Sequence, residues 1–323
     1  MIAFLWCIAG LAVMIGGAEL LVRGGTRVAA RLGIPPLVIG LTVVALGTSM
    51  PELAVGVEAA WQGSGALAVG NIAGTNTANL LLILGLSAWI SPLALELPTL
   101  RLNLPMMIGS ALLLLALAWD GVLSRLDGAV LVAGSVAYTG AVIRLARRGN
   151  QALKEDFIRE YGTPGKTGSA WETAWSVVAL LVGIALTVVG ADWLVDGASG
   201  LARMFGVSEA VIGLTIVALG TSSPELVTAV VGTLRNERDI AIGNLLGSSV
   251  YNILGILGVT SLVPSAGLAV EANLVRIDIP VMAAVTIVCA PVFISGRRVS
   301  RLEGALFVTT YGIYLTYLVV ART

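Results

Sequence analysis

Two short motifs place hydroxyl and carboxyl side chains in the middle of long apolar runs. The motifs are ALGTSMPE at 45–52 and ALGTSSPE at 218–225. Their oxygen-bearing side chains are those of Thr48, Ser49, Glu52, Thr221, Ser222 and Glu225. Carboxylate, hydroxyl and carbonyl oxygens, without nitrogen or sulfur, are the ligands that hard cations such as Ca2+ and Na+ prefer. The motifs therefore predict a cation site.

Each motif also contains a glycine and a proline that disfavour a continuous helix. Gly47 lowers helix propensity by about 1 kcal/mol relative to Ala, and Pro51 lacks an N–H donor and clashes with the carbonyl of Gly47. We expect the helix to break between Gly47 and Pro51, and its copy to break between Gly220 and Pro224. The carbonyls that such breaks leave without partners lie near Ala45, Thr48, Ala218 and Thr221. At membrane depth such carbonyls need another partner, and a cation is a good candidate.

A second pair of motifs adds a polar stripe to each half of the chain. GNIAGTNTANLLLILG at 70–85 resembles GNLLGSSVYNILGILG at 243–258. Residues four apart lie along one face of a helix. The stripes consist of Asn71, Thr75 and Asn79, and of Asn244, Ser248 and Asn252. Interhelical hydrogen bonding is an alternative explanation of the stripes, and a capping box of the Ser-x-x-Glu type is an alternative explanation of the acidic motifs.

The composition indicates that these motifs lie in a membrane. Of the 323 residues, 57% are hydrophobic and 12% are charged, and the mean hydropathy is +0.95, whereas soluble domains carry about 25% charged residues. The formal charge is zero, so nothing points to nucleic acid. The chain has no His, which excludes histidine acid–base chemistry and His-ligated metal centres. Without a catalytic motif, we expect a protein that is not an enzyme.

Apolar runs of spanning length predict an all-α polytopic membrane protein with ten transmembrane helices. The expected spans are 1–22, 34–60, 66–91, 103–119, 127–146, 173–192, 207–234, 240–262, 276–294 and 302–321. The one long polar stretch, 147–172, mixes both charge signs with Gly and Pro and is predicted to be a connecting loop.

The motifs recur because the chain contains an internal repeat. VIGLTVVALGTS at 38–49 matches VIGLTIVALGTS at 211–222 in eleven of twelve positions, at an offset of 173 residues. Five spans separate equivalent points, and because five is odd the second copy is inverted in the membrane. We predict a first five-helix repeat at 1–146, a connecting loop at 147–172 and a second, inverted repeat at 173–323. The broken helices 2 and 7 would meet at the centre.

The distribution of basic residues predicts the orientation. With the N-terminus outside, the predicted inside segments hold fifteen Arg and Lys residues and the outside segments hold four. Such a bias follows the positive-inside rule. We therefore expect a multi-pass protein of the cell (inner) membrane with both termini extracytoplasmic and the 147–172 loop cytoplasmic.

These duplicated motifs resemble the calcium/cation antiporter superfamily, in particular its prokaryotic sodium/calcium exchangers. The resemblance covers essentially the whole chain, and its most specific parts are ALGTSMPE with GNIAGTNTAN and ALGTSSPE with GNLLGSSVYN. It implies exchange of Na+ for Ca2+ by alternating access at the membrane midplane. It implies no cofactor, and membrane lipid and inorganic cations as the partners. It also implies that the first and sixth helices slide, eased here by Gly16, Gly17, Gly183 and Gly190.

The resemblance also implies a ligand set. Glu52 and Glu225 would be the principal Ca2+ ligands, joined by the carbonyls of Thr48 and Thr221. The flanking sodium sites would use the carbonyls of Ala45 and Ala218, with Ser49, Ser222, Thr75 and Ser248. Asn79 and Asn252 would complete the central polar position.

One position departs from the family pattern. Characterised prokaryotic members can carry Asp where this chain has Asn252, so the predicted centre holds two carboxylates, and the amide cannot titrate. Some relatives exchange Ca2+ for protons and others co-transport K+. H+/Ca2+ exchange and K+-dependent Ca2+ exchange therefore stay open as alternatives to Na+/Ca2+ exchange, and a cation channel is a less favoured one.

Overall fold

The computed structural model describes residues 2–94, 97–148, 170–205 and 218–322, and these are almost entirely helical. The helices of the first half are α1 Ile2–Leu32, α2 Pro36–Thr48, α3 Met50–Trp61, α4 Gly65–Ile90, α5 Leu97–Leu117 and α6 Arg125–Arg148. Those of the second half are α7 Ala170–Met204, α8 Ala218–Thr221, α9 Ser223–Leu234, α10 Arg238–Leu262, α11 Leu274–Ser295 and α12 Arg301–Arg322.

Most of these helices could cross a membrane. Within the described ranges, seven helices are long and apolar enough to span, and α2 with α3 qualifies as an eighth, bent span. The helix α12 has 22 residues but does not count as one of these spanning helices. Its three Thr and three Tyr residues make it more polar than they are. The chain is thus a multi-pass helical membrane protein. The start of the predicted seventh span, 207–217, lies outside the described residues.

Two predicted helix ends were too early. The first span was expected to end at residue 22, but α1 continues to Leu32, and the sixth was expected to end at 192, but α7 continues to Met204. The added turns of α1 carry Arg23, Arg27 and Arg31. An apolar run marks where a helix leaves the hydrocarbon, whereas the helix itself continues into water. Residues 149–169, most of the predicted 147–172 connection, lie outside the described part.

The first helices of the two halves pack against each other in antiparallel directions. A Cβ added to Gly10 would lie 2.7 Å from the carbonyl oxygen of Gly190, and one added to Gly190 would lie 2.8 Å from that of Gly10. Further along, a Cβ on Gly17 would lie 2.6 Å from the amide nitrogen of Thr187. As residue numbers increase along α1, the residue numbers of its contacts on α7 decrease, so the two helices are antiparallel. Glycine permits such close approach of two backbones.

Four two-residue strands tie loops of one half to loops of the other. They are β1 Leu93–Ala94, β2 Val122–Leu123, β3 Leu268–Ala269 and β4 Arg298–Val299. The β1 strand pairs with β4 and β2 pairs with β3, both antiparallel. Each pair joins the connection after the third span of one half to the connection after the fourth span of the other.

The helices α4 and α10, which carry the polar stripes, form the centre of the bundle. Within their apolar windows 72% and 94% of the residues are buried, against 44% or less in the other five spanning helices. Both contain a π-helical stretch, Asn79–Ile83 in α4 and Asn252–Leu257 in α10. These stretches start at equivalent positions of the repeat, and π-turns are frequent at functional sites.

Candidate cation site

The helix breaks lie where the sequence predicts them, but each is confined to one residue. Ser49, with φ −84° and ψ 10°, separates α2 from α3, and the two helices are bent by 41°. Ser222, with φ −87° and ψ 2°, separates α8 from α9 in the second half. Pro51 and Pro224 lie in the first turn of the following helix, where a missing N–H costs nothing.

Gly47 and Gly220, the glycines of the two motifs, lie within helices and pack closely against α7. A Cβ added to Gly47 would lie 2.7 Å from a side-chain carbon of Ile184 on α7, and one added to Gly220 would overlap the side chain of Val195 on the same helix. Both broken helices therefore press directly on α7. Within the predicted range of Gly47 to Pro51, α2 continues through Thr48 and the break falls at Ser49.

Two of the carbonyls around the breaks, those of Ala45 and Gly220, have partners. The Ala45 carbonyl accepts the amide of Ser49 at 3.2 Å and the hydroxyl of Ser248 at 3.4 Å, so the prediction that it is left free was wrong. Proline removes the donor for the fourth residue before it, which in the second half is Gly220. There the Ser223 hydroxyl supplies the missing donor, at 2.6 Å.

The serines at the breaks bond across the molecule and do not cap their own helices. Neither Ser49 nor Ser222 makes a side-chain capping bond. The Ser49 hydroxyl donates to Glu225 Oε1 at 3.1 Å and lies 3.3 Å from the Ser248 hydroxyl, and the Ser222 hydroxyl donates to that of Thr75 at 3.2 Å. The capping-box explanation is therefore wrong, and each break meets the polar stripe of the opposite half.

The first break meets the stripe of α10 at a second point. The Thr48 hydroxyl donates to Asn244 Oδ1 at 3.0 Å, and the Ser248 hydroxyl lies 3.4 Å from the same atom. Thr48, Asn244 and Ser248 have no exposed surface. The interhelical hydrogen bonds expected for the stripes are thus present, and they bridge the two halves.

Two glutamates lie at the centre of this network. Glu52 and Glu225 have no exposed surface, and they are close enough for mutual repulsion. The Thr221 side chain lies beside Glu52, but among the described residues neither Glu52 oxygen has a hydrogen bond of good geometry. Among the described residues, the buried carboxylate and amide oxygens on the two motifs and their stripes that have no donor are both Glu52 carboxylate oxygens, Glu225 Oε2, Asn79 Oδ1 and Asn252 Oδ1.

An amide that the sequence analysis missed joins the two stripes. The Asn252 side chain donates to Asn76 Oδ1 at 3.1 Å, and the Asn76 side chain donates to the Ser249 carbonyl at 2.9 Å. Asn76 lies off the stripe of Thr75 and Asn79 on α4. The available signal was that Asn76 and Ser249 are equivalent in the repeat and both polar.

Two of the predicted ligands stand apart from these bonds. Both amide atoms of Asn79 are buried without a partner among the described residues. Ala218 begins α8, and its side chain lies outside the described part. No group of three or more acidic, Cys or His side chains that could hold a metal occurs in the described ranges. The centre therefore presents two carboxylates, whose charge one divalent or several monovalent cations could balance.

Known proteins resemble this chain over most of its length. The family model described as sodium/calcium exchanger protein matches residues 2–144 and 175–320. The chain is 30% identical to the sodium/calcium exchanger MaX1 of Methanosarcina acetivorans over 344 residues, covering 98% of each. It is 37% identical to the inner membrane protein YrbG of Escherichia coli over 258 residues, covering 79% of this chain and 78% of YrbG.

The fold also superposes on a solved exchanger. The sodium-calcium exchanger NCX_Mj, soaked with Na+ and Ca2+, matches with a TM-score of 0.82 and 29% identity, covering 98% of this chain and 99% of that one. The family model, the MaX1 exchanger and this structure each match nearly the whole length of the chain. The chain belongs to the sodium/calcium exchanger protein family.

Proposed function

We propose that this protein is a secondary-active antiporter that exchanges Na+ for Ca2+ across the cell membrane by alternating access. The observation that carries the proposal is the set of buried carboxylate and amide oxygens at the centre of the bundle that have no donor among the described residues. A buried polar group without a partner costs about 1–3 kcal/mol, and more if charged. Bound cations would remove that cost, and exchangeable cations suit a transporter.

The ligands we propose are those that the repeat places at equivalent positions. Glu52 and Glu225 would hold Ca2+ with the carbonyls of Thr48 and Thr221. The remaining proposed ligands are the carbonyls of Ala45 and Ala218 and the side chains of Ser49, Ser222, Thr75, Ser248, Asn79 and Asn252. The hydrogen bond from Ser49 to Glu225 supports a shared site between the halves.

Two features support an inverted repeat of ten spans with domains at 1–146 and 173–323. The equivalent helices α1 and α7 run antiparallel along their glycines. In addition, β1 after the third span of one half pairs with β4 after the fourth span of the other. These two connections can share a membrane face only if one half is upside down. We propose, with the excess of Arg and Lys in the predicted inside segments, that both termini are extracytoplasmic.

Transport assays in vesicles test the site. Glu52→Gln and Glu225→Gln should each abolish 45Ca2+ uptake by Na+-loaded proteoliposomes, because each removes one of two charges that balance Ca2+. The matched control is Glu58→Gln, since Glu58 is an exposed residue of the same helix α3. Uptake at the wild-type rate by either site variant would refute a shared site.

The same vesicles identify the driving ion. An imposed Na+ gradient should drive Ca2+ uptake, and an imposed pH gradient should not. Uptake that follows the pH gradient and ignores Na+ would favour H+/Ca2+ exchange, and a requirement for K+ would favour the K+-dependent alternative. Ca2+ flux without any counter-ion would indicate a channel.

A further inference from the structure

A cavity connects the candidate cation site to the protein surface. Its volume is about 320 Å3, and its described wall includes parts of α3, α4, α11 and α12. Thr75 and Thr221, which are only 3% and 9% exposed, line the cavity together with the exposed Glu271 and Asn273. A route from the surface to the polar centre therefore passes through it.

The proposed topology places this cavity on the extracytoplasmic side. The wall includes the start of α4 and the connection between α10 and α11. Both would lie on the extracytoplasmic side if the N-terminus lies on that side. The inner side is closed at the equivalent place: a Cβ on Gly247 would lie 2.6 Å from the Leu41 carbonyl, and one on Gly243 would lie 2.6 Å from the Leu37 carbonyl.

A buried carboxylate that the proposed site does not use also lines this cavity. Asp278 is 4% exposed and lies on α11, seven residues after Glu271, or about 10 Å further along a helix axis. Its Oδ1 accepts the Tyr314 hydroxyl at 3.3 Å. Asp278 lies near the start of the predicted span 276–294, and α11 begins before it at Leu274 and buries it. Arg276 precedes it by two residues and is exposed.

The first half of the chain shows whether the tyrosine bond at this position requires a negative charge. RLNLPMM at 101–107 corresponds to RIDIPVM at 276–282, so Asn103 is the counterpart of Asp278. Tyr138 on α6 donates to Asn103 Oδ1 at 2.7 Å, just as Tyr314 on α12 donates to Asp278. A neutral amide oxygen therefore satisfies the tyrosine in the first half. The negative charge in the second half is not required for that bond.

We propose that the Asp278 carboxylate attracts cations that enter the cavity from the extracytoplasmic side. Its carboxylate, with that of Glu271 at the surface, gives the cavity a negative potential that concentrates Ca2+ and Na+ on their way to Thr75 and Thr221. A charged cleft with low-dielectric walls raises the local cation concentration and the association rate. This inference rests on the proposed exchange function.

Transport from the two membrane faces tests it. Asp278→Asn should raise the KM for Ca2+ about 3- to 10-fold in Na+-loaded right-side-out vesicles, with Vmax unchanged. In inside-out vesicles the KM should not change. The difference should shrink when choline chloride raises the ionic strength, since salt screens the charge. Asp120→Asn, an exposed acid in the connection between α5 and α6, is the matched control and should keep the wild-type KM on both faces.

Two further variants keep the outcome decisive. Asp278→Glu retains the charge and should keep a KM near that of the wild type, whereas Glu271→Gln, at an exposed position, should raise the outer KM even if Asp278→Asn fails to fold. A wild-type outer KM in the neutral variants, or a loss of Vmax alone, would overturn the inference. Absence of Ca2+ uptake by the wild type would instead overturn the exchange function itself.

Discussion

At the scale of single residues, hydrogen-bond donors are distributed unequally between the two central glutamates. Glu225 receives the Ser49 hydroxyl, whereas Glu52 has no hydrogen bond of good geometry among the described residues. The counterpart serine, Ser222, donates to the hydroxyl of Thr75. Two equivalent residues thus bond to a carboxyl group and to a hydroxyl, and the bond to the carboxyl group is about twice as strong when that group is ionised.

This difference predicts unequal effects on stability. Ser49→Ala should lower the free energy of unfolding without cations by about 1.5–3 kcal/mol, because it leaves a buried carboxylate oxygen without its donor. Ser222→Ala is the matched variant and should cost about 0.5–1.5 kcal/mol. Thermal unfolding followed by tryptophan fluorescence measures both. Equal melting temperatures would show that the Ser49 bond to Glu225 is not formed in the absence of cations.

Most of the site residues could be predicted from the sequence, but not how they pair. The duplicated motifs identify Ser49, Glu52 and their copies because polar residues in an apolar run are conspicuous. The pairing of Asn252 with Asn76 could not be predicted, since a regular helix places Asn79 on the stripe and Asn76 off it. The π-turn that begins at Asn79 is a further feature that residue type alone does not reveal, but it follows Asn76 and leaves the angular position of that residue unchanged.

At the scale of elements, the packing of α1 against α7 depends on glycines spaced seven residues apart. They are Gly10, Gly17 and Gly24 on α1 and Gly183, Gly190 and Gly197 on α7. Gly16, which the family resemblance groups with Gly17 as easing the sliding of α1, lies outside this contact, because a Cβ on Gly16 meets no atom of the described residues within 4 Å.

Neighbouring glycines therefore provide a matched pair of variants. Gly17→Ala should lower the free energy of unfolding by about 1–3 kcal/mol, because its Cβ would lie 2.6 Å from the Thr187 amide and would push the helices apart. It should also slow Ca2+ uptake if these helices slide during transport. Gly16→Ala should stabilise the protein by up to about 1 kcal/mol through helix propensity. Melting temperature and initial uptake rate measure both effects, and equal behaviour of the two variants would contradict the packing described.

At the scale of the whole molecule, the two halves share a sequence repeat but differ in charge. On the proposed cytoplasmic side, Arg235 at the end of α9 forms an ion pair with Glu19 on α1, and Arg23 lies 2.5 Å from the same carboxylate. At the counterpart of Arg235 the chain has Gln62, which donates to Glu58 within its own helix region at 2.7 Å. Arg235 therefore links the second broken helix to α1 by an ion pair. Gln62, at the equivalent position of the first broken helix, bonds only to Glu58 nearby in sequence.

This ion pair should favour the conformation in which the cytoplasmic side is closed. Arg235→Gln introduces the residue found at the equivalent position 62 and removes the ion pair. An exposed ion pair contributes about 0.2–1 kcal/mol of free energy. That corresponds to a shift of up to about five-fold in the ratio of the two conformations. Arg23→Gln is the matched control, because it removes a charge within α1 and leaves the bridge to α9 in place.

Thiol labelling measures the shift. Leu41→Cys, in a background with Cys7→Ala and Cys289→Ala, places a thiol at a position that is 3% exposed and packed against Gly247. A membrane-impermeant reagent applied from the cytoplasmic side should label it about two- to five-fold faster with Arg235→Gln and at an unchanged rate with Arg23→Gln. Equal acceleration by both substitutions would mean that net charge near α1, and not the bridge, sets the balance. No acceleration by either would mean that α1 and α9 keep their contact when the cytoplasmic side opens.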